Sequence, residues 1–268
     1  MVLRVKLVKA FLVLFSENRI SMAAAALSYY LTMTIFPLFI VVYTLLGNSG
    51  ESVLQLMDFA GELINADVME FILDFFTYVS ESRESAMLPL GLAVLLSYAS
   101  AGIRSMLHTI SGIQGGEEYR GLRSYLISFV YSLMLLSVLY FALIVMLMSR
   151  GLIEAVNSCF PGMAFLFDWL YLRYIVLAAV LFFFMLGIFH VPKRRQDSYR
   201  ILPGAAFVSL GVVGISPLFS VVMGRSVKYS LVYGSIASII LLMLWLYMCC
   251  VLMYSGAVLN VALHELKK

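Results

Sequence analysis

The sequence predicts an all-α polytopic membrane protein with six transmembrane helices and both termini in the cytoplasm. Composition is the first reason: 63% of the residues are hydrophobic and 12% charged, whereas soluble chains are about half apolar and roughly a quarter charged. The mean hydropathy of +0.99 agrees. The second reason is that Asp, Glu, Lys and Arg are missing from six long runs, residues 20–50, 85–103, 124–149, 174–192, 201–224 and 229–264. Each is close to or longer than the roughly 20 helical residues that cross a hydrocarbon core. Unpaired backbone groups are not tolerated in lipid, so runs of this length are read as helices; barrel strands would be shorter and would alternate polar with apolar.

The third reason is the sorting of the remaining charge. Thirteen basic residues fall on one side of the predicted bundle: Arg4, Lys6, Lys9 and Arg19 before the first span, Arg104, Arg120 and Arg123 in the second connection, Lys193, Arg194, Arg195 and Arg200 in the fourth, and Lys267 and Lys268 at the tail. Only Arg83, Arg150, Arg173, Arg225 and Lys228 lie on the other side, together with ten of the fifteen acidic residues. With five acidic residues on the basic side, the two faces carry +8 and −5, although the net charge is +3. Lys and Arg bias sets orientation, which places the basic face and both termini in the cytoplasm. Such a face suits anionic lipid headgroups, at about 1 kcal/mol per Lys or Arg near the surface. It lacks the aromatic-interleaved basic stripe of a nucleic-acid binder, so no nucleic-acid partner is expected.

Taken in order, residues 1–19 mix Arg4, Lys6 and Lys9 with Val2, Leu3, Val5, Leu7, Val8, Phe11 and Leu12. They read as a cationic amphipathic helix on the inner surface rather than a cleaved signal, since no A-x-A-like site follows. The first span contains Ser28-Tyr29-Tyr30-Leu31-Thr32-Met33-Thr34-Ile35-Phe36-Pro37. Pro37 cannot donate to the carbonyl of Met33. Thr32, Thr34 or a water is expected to satisfy that carbonyl, which predicts a kink facing protein or a wet cavity. Residues 51–84 are amphipathic, with Val53, Leu56, Met57 and Ala60 at helical spacing. Asp67 and Glu70 form a capping box that would open a second helix there. Both outer helices are expected at the surface, as cover for the bundle or as a lid or docking face.

The second and third spans are joined through a Gly115-Gly116 turn, and the fourth follows an aromatic outer loop with Phe160, Phe165, Phe167, Trp169 and Tyr171 placed as an interfacial belt. The fifth span repeats the proline device with Gly211, Gly214 and Pro217. In the sixth, Gly234 and Ser238 are four residues apart and share a face suited to close helix approach. Gly256 belongs to the same packing role, and Asn260 is placed to hydrogen-bond across helices or to cap a terminus. Pro and Gly are also generally commoner in transmembrane helices, an alternative account of the kinked spans that needs no cavity. An inverted repeat finds no support, because the prolines fall in the first and fifth spans, which are not equivalent in the two halves.

Little is available for chemistry. No carboxylate or Lys lies at a predicted midplane, where proton relays and ion pathways place them. His108, His190 and His264 come from three separate segments without metal-ligand spacing, so neither a metal nor a cofactor is expected. The G-x-S-x-G elbow of a serine hydrolase is absent. Three cysteines, Cys159, Cys249 and Cys250, supply no disulfide framework.

Several motifs, in order and spacing, carry a family resemblance: Ala26-Leu27-Ser28-Tyr29-Tyr30 running to Phe36-Pro37, Ser97 to Gly102, Glu118-Tyr119-Arg120, Pro203-Gly204-Ala205, Tyr233-Gly234-Ser235, Leu244-Trp245-Leu246-Tyr247, and Gly256-Ala257 with Asn260. Over essentially its whole length the chain resembles the YihY/BrkB family of bacterial inner-membrane proteins, formerly labelled ribonuclease BN. The resemblance implies six helices, an inner-membrane location and a role in envelope integrity or serum resistance, with transport of lipids or small solutes proposed for members, and it brings no established catalytic residues. One departure is that the acidic residue often found just after the Gly-Ala of the last helix is Val258 here.

The expectation is therefore a non-enzymatic inner-membrane protein that translocates or accommodates a lipid-like or small neutral solute. Tyr29, Tyr30, Thr32, Thr34 and Pro37 would line a groove, with Gly211, Gly214 and Pro217 opposite, and Arg104 and Arg200 would meet a lipid phosphate. Membrane lipids are the expected partners, with a second copy of the chain or envelope proteins as further candidates. The alternatives are an envelope scaffold acting through residues 51–84, and a metal enzyme at the cytoplasmic face.

Overall fold

A computed structural model of the chain describes residues 2–46, 87–116, 121–147, 169–192, 201–224 and 236–266. These residues form seven helices: α1 (Val2–Glu17), α2 (Ile20–Leu46), α3 (Met87–Gln114), α4 (Leu122–Leu147), α5 (Trp169–His190), α6 (Leu202–Gly224) and α7 (Ile236–Glu265). No strand occurs among the described residues. The predicted outer helices of 51–84, Arg200, Gly234 and the side chain of Ser238 lie outside them. By length and composition, Pro89–Gln114 and Ile239–Glu265 qualify as membrane-crossing helices, and Lys6–Glu17 with Ile20–Ile35 makes a further, bent candidate. Leu122–Ser137, Ile175–His190 and Leu202–Ile215 are apolar but shorter stretches.

Helix limits follow local chemistry more than charge. The run 85–103 ends at Arg104, yet α3 continues to Gln114 because Ile103, Met106, Leu107, Ile110 and Ile113 keep a buried stripe at helical spacing. It stops at Gly115, whose φ of 61° is the left-handed conformation that glycine adopts without penalty. There the amide of Gly116 donates to the Ser111 carbonyl at 3.0 Å and that of Gly115 to the Gly112 carbonyl at 3.3 Å, the paired bonds of a Schellman cap. Between α1 and α2 the chain bends by 59°. Arg19 takes a φ of 48° at this joint, and the Asn18 side-chain amide donates to the Leu14 carbonyl at 2.8 Å, closing the end of α1.

The six longer helices form a ring in which each packs on the next, α2 on α3, then α4, α5, α6 and α7, and α7 closes back on α2. α7 also touches α1 and α3, which makes it the hub. Its buried residues Cys250, Tyr254, Ala257 and Val258 join Leu27, Ile110, Ile188 and Val208 in one core. The outward faces of the bundle are apolar as well: Leu90, Val130, Ile175, Phe183, Leu210 and Ile240 are all at least half exposed. In water such a surface would be a large unpartnered hydrophobic patch; in hydrocarbon it is already solvated.

Small residues set the closest crossings. A Cβ at Gly204 would overlap the Gly256 carbonyl oxygen and the Asn260 side chain, and a Cβ at Gly256 would collide with Val208. At Gly102 a Cβ would stand 3.1 Å from Cβ of Tyr30, so α2 and α3 nearly touch backbones there. Asn260, 1% exposed, occupies the tightest of these joints. Its Oδ1 accepts the Gly204 amide at 2.7 Å, and its Nδ2 donates to the Ile201 carbonyl at 3.3 Å. Ile201 precedes α6 and has no side-chain oxygen for the helix's first amides. Pro203 removes one of those amides and Asn260 supplies the missing acceptor from α7.

Replacing Asn260 by Leu leaves the Gly204 amide buried without an acceptor and is expected to lower unfolding free energy by about 1–3 kcal/mol. Thermal unfolding in detergent micelles checks this, and an unchanged midpoint would show that α6 is capped by other means. Gly256→Leu is expected to abolish monodisperse folded protein, because the α6 and α7 backbones cannot separate without losing the Asn260 bonds.

Candidate functional site

At one end of the bundle the chain ends of several helices meet. The turn after α3 touches the end of α5, since a Cβ at Gly116 would overlap the Pro192 carbonyl. The start of α6 meets the end of α7 through Asn260, and Glu265 lies beside Lys6 and Lys9 of α1. Just inside this end, α2, α3 and α4 leave a cleft of about 380 Å³, lined by Tyr30 from α2, Ala101, Arg104, Ser105, Leu107, His108 and Ser111 from α3, Gly121 just before α4, and Ser124, Tyr125 and Ile127 from α4. Ligand pockets range from about 300 to 1,000 Å³, so the cleft is large enough for a small molecule or a headgroup.

Helix geometry explains why these groups converge. Arg104 and His108 are four residues apart on α3, and Ser124 and Ser128 are four apart on α4, so each pair shares a face. The Gly102 crossing holds Tyr30 above them. The Arg104 guanidinium carbon sits 4.2 Å from the centroid of the Tyr125 ring, within cation–π range. No Asp or Glu lines the cleft among the described residues. Two buried polar groups flank it along the helices: Ser128 Oγ, one turn beyond Ser124, and the Gln114 side chain, one turn beyond Ser111, have no hydrogen-bond partner among the described residues. Buried polar atoms without partners mark where water or a ligand completes a network.

A second groove of about 400 Å³ lies between α1 and the end of α7, where Lys6, Lys9, Glu17 and Glu265 place both signs of charge together. With two charges of each sign it carries no net charge to select an ion.

The residues named from sequence are distributed differently from the expected groove. Of the first-span set only Tyr30 lines the cleft. Tyr29 is 45% exposed beside it in an edge contact with Tyr30. Thr32, Thr34 and Pro37 are buried, and the two hydroxyls donate back to the Ser28 and Tyr30 carbonyls at 2.8 and 2.7 Å. Those threonines therefore serve carbonyls one turn earlier than expected, not Met33, and α2 runs through Pro37 as one helix. Gly211 packs on Leu252 of α7, while Gly214 and Pro217 are exposed on α6. The principal neighbours of α6 are α5 and α7, and α7 stands between it and α2, so the two proline-bearing helices share no described cavity. Arg104 is in the cleft, Gly256 and Asn260 are in the α6–α7 joint, and Val258 is fully buried in the core, where a carboxylate would be unpaired.

His108 lines the cleft from α3, His190 ends α5 and His264 lies near the end of α7. No group of three or more His, Cys, Asp or Glu side chains able to hold a metal occurs among the described residues. His108, Ser105 and Ser124 were not singled out by sequence as cleft residues. The signal that finds them is the four-residue offset from Arg104 and the serines that follow each other along α4.

Apolar outward faces, satisfied helical backbones and a polar cleft at one end define an integral membrane protein. The chain belongs to the virulence factor BrkB family, whose sequence model matches residues 11–268. It is similar to a Bacillus subtilis strain 168 protein named ribonuclease-like protein YfkH, 28% identical over 251 residues covering 91% of this chain and 90% of that one. It is also similar to UPF0761 membrane proteins of Albidiferax ferrireducens and Verminephrobacter eiseniae, each 26% identical across 94% of this chain. The chain spans about 61% and 60% of the length of those two relatives. No solved structure matches it.

Removing the ring beneath Arg104 with Tyr125→Leu is expected to cost about 0.5–2 kcal/mol, the range of cation–π pairs from exposed to desolvated. Tyr125→Phe keeps the ring face and should unfold close to wild type. Equal losses in the two variants, read by thermal unfolding in detergent, would assign the contribution to the hydroxyl instead.

Proposed function

We propose that this protein is a six-span inner-membrane protein with both termini in the cytoplasm, which accommodates a lipid-like molecule between α2, α3 and α4 and moves it within or across the bilayer in support of envelope integrity. The observation that carries this is the cleft, with Arg104, His108 and serines on its floor and an apolar neighbouring wall on α4. An amphiphile matches that division of surface; a small ion leaves the apolar wall unused. The charge asymmetry of the sequence supports the orientation, since the cleft then opens near the inner leaflet. Membership of a membrane-protein family supports the location.

Hydrolysis is not part of the proposal. A metal-assisted nuclease needs ligands that converge on one ion, and the three histidines stand on α3, α5 and α7. The ribonuclease-like name belongs to the relative that carries it.

Orientation is checked by fusing a reporter that is active only in the cytoplasm after Lys268 and, separately, within residues 51–84; the first fusion is expected to be active and the second silent. Lipid handling is checked in reconstituted vesicles with a fluorescent phospholipid. Transbilayer exchange should exceed that of protein-free vesicles, and Ala101→Trp, which fills the cleft, should slow it several-fold. Exchange that is absent in wild type, or indifferent to a filled cleft, would contradict the proposal.

A further inference from the structure

The cleft holds a cation that the described residues do not neutralise. Arg104 lies ten residues before Gln114 on α3, about 15 Å along the axis from that end at 1.5 Å per residue, inside the stretch Pro89–Gln114 that qualifies as a span. A charged side chain within a membrane-crossing helix is costly unless a partner or water meets it. Its one recorded partner among the described residues is the face of the Tyr125 ring. A ring face supplies no lone pair to the guanidinium N–H groups, which point outward in the guanidinium plane. Those donors form the fork that fits an oxyanion through two parallel hydrogen bonds.

We infer that the cleft is a selective site for the phosphate of an anionic phospholipid, with Arg104 as the charged fork and His108, Ser105 and Ser124 as neighbouring donors. The inference rests on the proposed lipid handling and names the headgroup class. Two features separate a lipid from free phosphate. The cation is recessed along a membrane-crossing helix, where a lipid phosphate arrives from the leaflet and a dissolved ion would have to be dehydrated. Beside Tyr125, which is itself 57% exposed, the outward face of α4 carries Leu122, Leu126 and Phe129, a surface for acyl chains that a free ion would not use. Arg104 brings a positive charge to the cleft, which favours a net anion over a zwitterion whose own cation would be repelled.

The test uses the full chain purified in a neutral detergent and titrated with phosphatidylglycerol, with phosphatidylcholine and with inorganic phosphate, bound lipid being counted by native mass spectrometry. Wild type is expected to bind phosphatidylglycerol at least about tenfold more tightly than phosphatidylcholine, whose choline cation offsets the attraction of its phosphate to Arg104, with millimolar phosphate failing to displace it. Arg104→Gln should erase the preference, Arg104→Lys should retain part of it, and Lys9→Gln on α1 should leave it intact. Arg104→Lys also guards against misfolding, since it keeps the charge at the same depth. Equal binding of the two lipids in wild type, or a preference that survives Arg104→Gln, overturns the headgroup assignment while leaving lipid handling standing. Binding of phosphate that competes with the lipid overturns the lipid as source. No retained lipid of either kind, together with no transbilayer exchange, overturns both proposals.

Discussion

Where α6 begins, the Gly204 amide lies buried inside the bundle, and Ile201 has no side-chain oxygen to accept from it. Asn260 reaches across from α7 to accept from Gly204 and to donate to the Ile201 carbonyl. That exchange is sterically possible because Gly204 and Gly256 let the two backbones meet. A hydrogen bond between helices in lipid is worth only about 0.6–2 kcal/mol on its own, but this one also fixes the register of the hub helix. α7 contacts α1, α2, α3 and α6, so a slip at Asn260 would displace Tyr254 and Val258 from the core and shift α2 and α3 against each other. The cleft is built from those two helices and α4. The polar joint thus positions the site without touching it.

The cleft itself depends on a division of labour along α3. Its apolar stripe of Ile103, Met106, Leu107, Ile110 and Ile113 packs inward, which commits the adjacent face, with Arg104 and His108, to the gap between α2 and α4. Gly102 brings Tyr30 down over that gap. Tyr125 orients the guanidinium from the opposite wall. The outcome is a cation 4.2 Å from a ring centroid, with Ser105 and Ser124 lining the same cleft and the exposed Leu122 and Leu126 of α4 beside it.

Much of the architecture was legible because lipid imposes simple rules. Apolar runs must be helical, and the helices indeed occupy the charge-free runs or overlap them closely. What charge could not show was where helices end: the run stopped at Arg104, while packing and the Gly115 cap carry α3 on to Gln114. An arginine assigned to a connection thereby becomes an arginine inside a helix. The prolines suggested a groove shared by α2 and α6, but which helices become neighbours is decided by long-range packing, and α7 separates that pair. The hydroxyls of Thr32 and Thr34 looked available for a ligand and are spent on their own helix. Gly256 and Asn260 were readable as packing residues because small and amide side chains have few other uses in an apolar span.

An experimental structure of the chain in lipid nanodiscs containing phosphatidylglycerol tests the account most directly. The account predicts a phosphate within hydrogen-bonding distance of Arg104 between α2, α3 and α4, with acyl density lying along Leu126 and Phe129. A cleft closed by protein, with Arg104 paired to a carboxylate of the chain itself, would contradict it.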